Sequence, residues 1–281
     1  MPHSGSKISL YADRSISQCL ETTFDFMRSC RSVWFRMTLW LFMPLCFFTV
    51  IAFYGLMNNF EAIDHFLDKS SIGLIGGVIV IFLLFLLLSH LMVYSLLDAY
   101  AEHGDDIDGF SMNRMLPYIR RNALRVCWLV LFFVFTFFFF AIGGVLGLLL
   151  WFFLSLLPPV YMIERQGFLS SIAKSVRLSF RSFFQLVGVL FFSLMFGFLM
   201  LMALAMPFKL ISSAGDVFSF TVSSTSPMGL LFSYTYYMIV TMAFCMLFSM
   251  LLLALVFQYG SASEWVDEAS LESDIERFEN L

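Results

Sequence analysis

Thirty-eight consecutive residues, Val126–Ile163, carry no charge. At about 1.5 Å per residue, a single helix over that stretch would be about 57 Å long. That is nearly twice the roughly 30 Å of hydrocarbon in a bilayer. Such a run is too apolar for a soluble core and too long for one membrane crossing. Gly143 and Gly144 interrupt it near its middle, and glycine permits the backbone angles that a tight reversal needs. The stretch therefore reads as two short spans, about 126–142 and 145–163.

The rest of the chain agrees. Met37–Met57, Ile72–Leu97, Phe183–Met206 and Leu230–Phe257 each supply the roughly 20 apolar residues of a transmembrane helix. The expected fold is all-α and polytopic, with about six transmembrane helices. Composition points the same way: 60% of residues are hydrophobic and 13% charged, against about 45–50% and about 25% in a soluble domain. A net charge of -4 with no basic domain excludes nucleic acid as a partner. The first apolar run is preceded by a long polar stretch, so it reads as an uncleaved anchor rather than a signal peptide. The five cysteines show no C-x-x-C spacing and read as small apolar residues, not as a metal or disulfide framework.

Charge gives the orientation. With six spans, residues 1–36, 98–125, 164–182 and 258–281 share one side, and of the sixteen Lys and Arg only Lys69 and Lys209 lie opposite. Lys and Arg resist translocation, which places both termini in the cytoplasm. A single long helix at 126–163 would carry Arg165, Lys174, Arg177 and Arg181 across and erase the bias. The chain thus divides into a cytoplasmic amphipathic segment (1–36), a membrane domain (37–257) and an acidic cytoplasmic tail (258–281). The opposite-side loops fall at Asn58–Ser71 and Pro207–Gly229.

A basic amphipathic segment precedes a pair of spans three times. Ile16, Leu20, Phe24 and Met27 mark the first, Met112, Met115, Ile119 and Ala123 the second. In the third, Leu169, Ile172, Val176, Phe180 and Phe183 form one stripe, with Lys174, Arg177 and Arg181 on another face. Each pattern suits a helix lying in the headgroup plane, with its cations toward anionic lipid. Ahead of the third helix, Glu164 marks the return to water, Gly167 allows a turn, and Ser170 or Ser171 can cap the helix.

The order "LLPPVYMIERQGFLSSIAKSVRLSFRSFFQLVGVLFF" resembles the glycerophosphoryl diester phosphodiesterase membrane-domain family and its multi-pass bacterial relatives. Pro158, Pro159, Glu164, Gly167, Ser175, Leu178 and Phe183–Val189 carry the likeness. The resemblance implies a membrane module of a bacterial inner membrane. It does not imply hydrolysis, since no room remains for a catalytic barrel.

Single residues sharpen the picture. Glu164, at a span end, reads as a partner of Arg165, Lys174 or Arg177 rather than a mid-bilayer ion relay. His90 lies inside the second span and reads as a helix–helix hydrogen-bonding group. The acidic run from Asp98 to Asp108 fails the EF-hand register and reads as a solvated loop beside the arginines. Gly73-x-x-x-Gly77 and Gly143-x-x-x-Gly147 suit close helix approach. No P-loop, hydrolase triad, H-E-x-x-H or dinucleotide fingerprint occurs, so no enzyme, cofactor or metal is expected. What remains is a non-enzymatic membrane protein organising lipids, including anionic lipid, or membrane and cytoplasmic protein partners. The alternative is a carrier of a solute, resting on His90 and the Gly143–Gly144 break.

Overall fold

The structure, a computed structural model, describes residues 8–58, 69–217 and 227–267. The acidic tail from 268 onward lies outside the described residues, as do parts of the two loops expected at Asn58–Ser71 and Pro207–Gly229. The described chain is helical and contains no strand: α1 (Ile16–Ser29), α2 (Arg31–Asn58), α3 (Lys69–His103), α4 (Met112–Gly143), α5 (Val145–Phe153), α6 (Leu157–Ile163), α7 (Phe168–Arg181), α8 (Phe183–Val217) and α9 (Pro227–Asp267). A short 3-10 turn, Gly104–Gly109, joins α3 to α4.

Four of these helices, α2, α3, α8 and α9, are long and apolar enough to cross a membrane. Large apolar side chains stand on their outer faces, with Trp40, Phe47 and Phe48 on α2 and Phe184, Phe191 and Phe198 on α8 all more than half exposed. A water-soluble protein does not carry apolar surface on that scale. The chain is therefore a membrane protein.

The long uncharged run behaves differently from the four. Helix α4 ends at Gly143, and Gly144 takes φ +52°, a value that an L side chain adopts only with strain. Beyond it α5 folds back to pack along α4. The rest of the run is broken again between Phe153 and Leu157, so α5 and α6 are two short helices in place of one. Gly77, expected as a close-approach glycine, has nothing within 4 Å of the place its Cβ would occupy. Helix α8 continues to Val217, where a loop was expected from Pro207.

The chain forms two compact units. One holds Met37–Ser89 and Met195–Phe248. The buried Phe85 ring is stacked 5.4 Å from Phe244 and tilted against Phe248 at 4.8 Å. The other holds Met1–Arg36, His90–Leu194 and Ser249–Leu281 and contains nearly every polar contact described below. Its core joins Leu156, Val160, Leu178, Leu186, Leu255, Tyr259 and Ala262. A second cluster sets Leu129, Leu154 and Leu157 against Phe132, Phe168 and Ile172.

Within this second unit the segment 8–15 is an extended strap held by backbone contacts. The Arg14 amide donates to Ser261 Oγ (3.1 Å), and Ser261 Oγ and Gln185 Nε2 donate back to the Arg14 carbonyl. The Arg14 guanidinium turns back to donate to the carbonyls of Leu10 and Ser9 and lies 5.5 Å from the centre of the Phe257 ring. The strap crosses α9 at Gly260, whose absent side chain is what lets the Leu10 carbonyl approach. Ser15 then caps α1 in a reciprocal box with Gln18, satisfying two orphan donors of the first turn. Helix α1 buries Cys19, Thr23 and Phe26, a face one residue out of phase with the Ile16–Met27 stripe.

Candidate functional site

Where α6 ends, Glu164 turns inward. Its Oε1 accepts from Lys174 Nζ at 2.6 Å and from Tyr259 Oη at 2.5 Å. Tyr259 is fully buried, and its one hydroxyl proton is committed to Glu164. The Tyr11 hydroxyl, 3.4 Å away, must then be the donor in the Tyr11–Tyr259 pair. This chain runs from the strap through α9 to α7, spanning residues 248 apart in sequence. Burial raises the Tyr11 pKa, which keeps that hydroxyl in its donating form. Glu164 Oε2 is buried and has no hydrogen-bond partner among the described residues. Of the three cations named for Glu164 by the sequence, Lys174 is the one at its carboxylate.

Arg165 goes elsewhere. It sits at φ +54°, the one described non-glycine residue with a positive φ. That conformation is uncommon for a residue with a Cβ. Its guanidinium reaches Asp98 Oδ2 at 3.2 Å, at the end of α3. Asp98 Oδ2 also accepts from Arg121 at 3.0 Å and from Asn122 at 2.8 Å. Glu102, one turn further, accepts from Arg121 at 3.0 Å and from Tyr118 Oη at 2.7 Å. The turn after α6 is therefore shaped by Arg165 and its carboxylate. Gly167, expected to allow the turn, lies at φ -61° and ψ 146°, an extended conformation open to any residue.

Helix α7 has three faces, as the advance of about 100° per residue requires. Leu169, Val176 and Phe180 are exposed on one, and Arg177 and Arg181 are exposed on a second. The third, made of Ser171, Ser175, Leu178, Ser179 and Ser182, is buried. Ser175 Oγ and Ser179 Oγ both donate to the Phe153 carbonyl, at 3.1 and 3.0 Å. That carbonyl ends α5 and has no partner within its own helix. Two hydroxyls thus settle a helix end where water is scarce. Small side chains one turn apart also let the helix backbones come close. The apolar stripe of Leu169, Val176 and Phe180 thus stays exposed, and the face turned to the protein is a serine face. The expected serine cap fails: α7 starts at Phe168 with Gly167 as N-cap, and the hydroxyls of Ser170 and Ser171 donate back to the Gly167 carbonyl.

The remaining residues singled out in the sequence are separate from this site. His90 is buried, its ring 6.3 Å from Tyr94 and 6.3 Å from Phe133 of α4. The acidic run is more than a solvated loop. Asp108 Oδ1 accepts from the Ser32 amide at 2.6 Å, capping the first turn of α2 from a distance, where a negative charge also suits the helix dipole. Among the described residues no three His, Cys, Asp or Glu side chains gather as a metal would require. Sequence reasoning missed Tyr11, Tyr259, Asn122 and the serine face. The 171–175–179–182 serine spacing was the one signal that could have revealed the last.

Compared with known proteins, the chain matches no family model, no curated protein and no solved structure.

Proposed function

We propose that this chain is a non-enzymatic integral membrane protein of a bacterial inner membrane, organising anionic lipid, and through it partner proteins, at the cytoplasmic face. The carrying observation is the division of faces on α7. Its serine face is spent on the protein, which leaves Leu169, Val176 and Phe180 beside Arg177 and Arg181 on the outside. An apolar face flanked by cations is what a helix in the headgroup layer needs, each cation contributing about 1 kcal/mol near an anionic surface.

Purification in mild detergent should retain anionic phospholipid over zwitterionic phospholipid, and Arg177→Gln with Arg181→Gln should reduce that retention severalfold. Equal retention of the two lipid classes by the parent protein would count against the proposal.

Six spans with both termini cytoplasmic belong to this reading. The return of α5 onto α4 at Gly144 supports two short crossings in 126–163, as does the one-sided distribution of Lys and Arg. Single cysteines at Arg120 and Gln166, both exposed, in a chain freed of its own cysteines, should label from the same side of sealed vesicles. Labelling from opposite sides overturns six spans.

A further inference from the structure

The unit that holds the polar cluster also carries an open cleft of about 670 Å³, lined by Glu102, His103, Phe110, Asn113, Arg114, Pro117, Tyr118 and Arg121. We propose that this cleft is a discrete binding site for the phosphate ester of an anionic phospholipid headgroup. The inference rests on the reading of a lipid-organising membrane protein and adds a defined site to it, separate from α7.

Three arginines one or two turns apart on α4 each stack on an aromatic ring. Arg114 lies 5.5 Å from Phe110, Arg121 lies 5.2 Å from Tyr118, and Arg125 lies 5.9 Å from Tyr161. The two carboxylates at the end of α3 serve only the middle one, Asp98 and Glu102 both pairing with Arg121 at 3.0 Å. Arg165 draws on Asp98 as well. Arg121 and Arg165 therefore take up both carboxylates. Arg114, on the wall of the cleft, meets no carboxylate within ion-pair distance among the described residues, and Arg125 Nη1 is buried without a hydrogen-bond partner.

The one acid in the cleft is already occupied, since Glu102 accepts from Tyr118 Oη and Arg121. Asp108, beyond it, is turned to Ser32. The cleft thus offers an unmatched guanidinium, the Asn113 amide and the first turn of α4. A guanidinium matches a phosphate in charge and fork geometry, and a helix start adds donors and a favourable dipole. His103 Nδ1 lies 3.3 Å from the Ala99 carbonyl and donates to it, which leaves Nε2 as an acceptor suited to a glycerol hydroxyl rather than to the phosphate. Phe110 and Pro117 give the cleft an apolar side. The volume exceeds that of a phosphate and accommodates the glycerol that follows it. Glu102 and His103 close the apolar window of α3, which is the depth of a headgroup.

The test is native mass spectrometry of the full-length protein in mild detergent, titrated separately with phosphatidylglycerol, phosphatidylcholine, glycerol 3-phosphate and inorganic phosphate. The expected result is one saturable phosphatidylglycerol, favoured over phosphatidylcholine, with little binding of either soluble phosphate. Arg114→Gln should weaken that one site about tenfold, the loss of one charge-assisted pair. Arg114 is exposed and the variant should elute as the parent does. Arg177→Gln with Arg181→Gln should lower diffuse lipid retention yet leave the saturable site intact, which separates failure here from failure of the α7 reading. Unchanged affinity in Arg114→Gln overturns the proposal. So does equal binding of phosphatidylcholine, or binding of glycerol 3-phosphate or inorganic phosphate as tight as that of the lipid.

Discussion

Gly260→Ala is expected to lift the amino-terminal strap from α9. A Cβ at Gly260 would lie 2.1 Å from the Leu10 carbonyl oxygen and 3.0 Å from its carbon. Both are backbone atoms, so no rotamer change relieves the clash. Overpacking of this kind costs about 1–3 kcal/mol, and the hydrogen bonds at Arg14 are lost as the strap moves. Gly188→Ala is expected to cost less, since its nearest obstacle is the Cδ1 end of Ile16. At Gly77, with nothing within 4 Å, the same change should be neutral or slightly stabilising, alanine being the better helix former.

Cys19 reports the movement. It lies on the buried face of α1, and burial raises its thiol pKa to about 11. A thiol raised above its ordinary value is almost wholly protonated at pH 8 and unreactive. Exposure lowers the pKa and opens access, so both effects act in one direction. Alkylation at Cys19, read by peptide mapping at pH 8, should be slow in the parent and in Gly77→Ala and many-fold faster in Gly260→Ala. Equal rates in all three would contradict the strap.

Glu164→Ala is expected to be the most destabilising change at the polar site. The side chain is 10% exposed and its Lys174 partner 22%. Removing one member of a buried pair costs about 3–5 kcal/mol, because the other charge stays behind. The fully buried Tyr259 hydroxyl would lose its acceptor too. The thermal midpoint in detergent should fall clearly. Glu164→Gln should fall less, its amide oxygen still accepting from Tyr259. Glu164→Met combined with Lys174→Met should recover most of the loss, since an apolar pair carries no uncompensated charge. A midpoint for Glu164→Ala equal to the parent would show that the pair contributes nothing.

The long-period features of this fold were legible in the sequence and the contact-level ones were not. Four membrane-length helices and the break at Gly143–Gly144 follow from apolar run length and glycine placement, which are local properties. The Glu164–Lys174 pair was among the partners that ten-residue spacing allows. The strap was not visible, because Tyr11, Arg14, Gln185, Tyr259 and Ser261 are distant in sequence and share no periodic signal. The serine face of α7 was missed for a physical reason. Stripe reasoning assumes that water lies on one side, so serine is assigned outward. Near a membrane the outside can be apolar, and serine then serves the interior by bonding a helix-end carbonyl. Arg165 at positive φ escaped for a similar reason, since Gly167 nearby drew the turn.

That α7 meets lipid with its Leu169–Phe180 face is tested most directly by spin labels at 169, 176, 177, 180 and 181, one at a time, in bilayer nanodiscs. Labels at 169, 176 and 180 should collide with dissolved oxygen far more than with a water-soluble nickel chelate, and labels at 177 and 181 should show the reverse order. Nickel accessibility at 169 and 180 as high as at 177 would contradict it and make the segment a solvated surface helix.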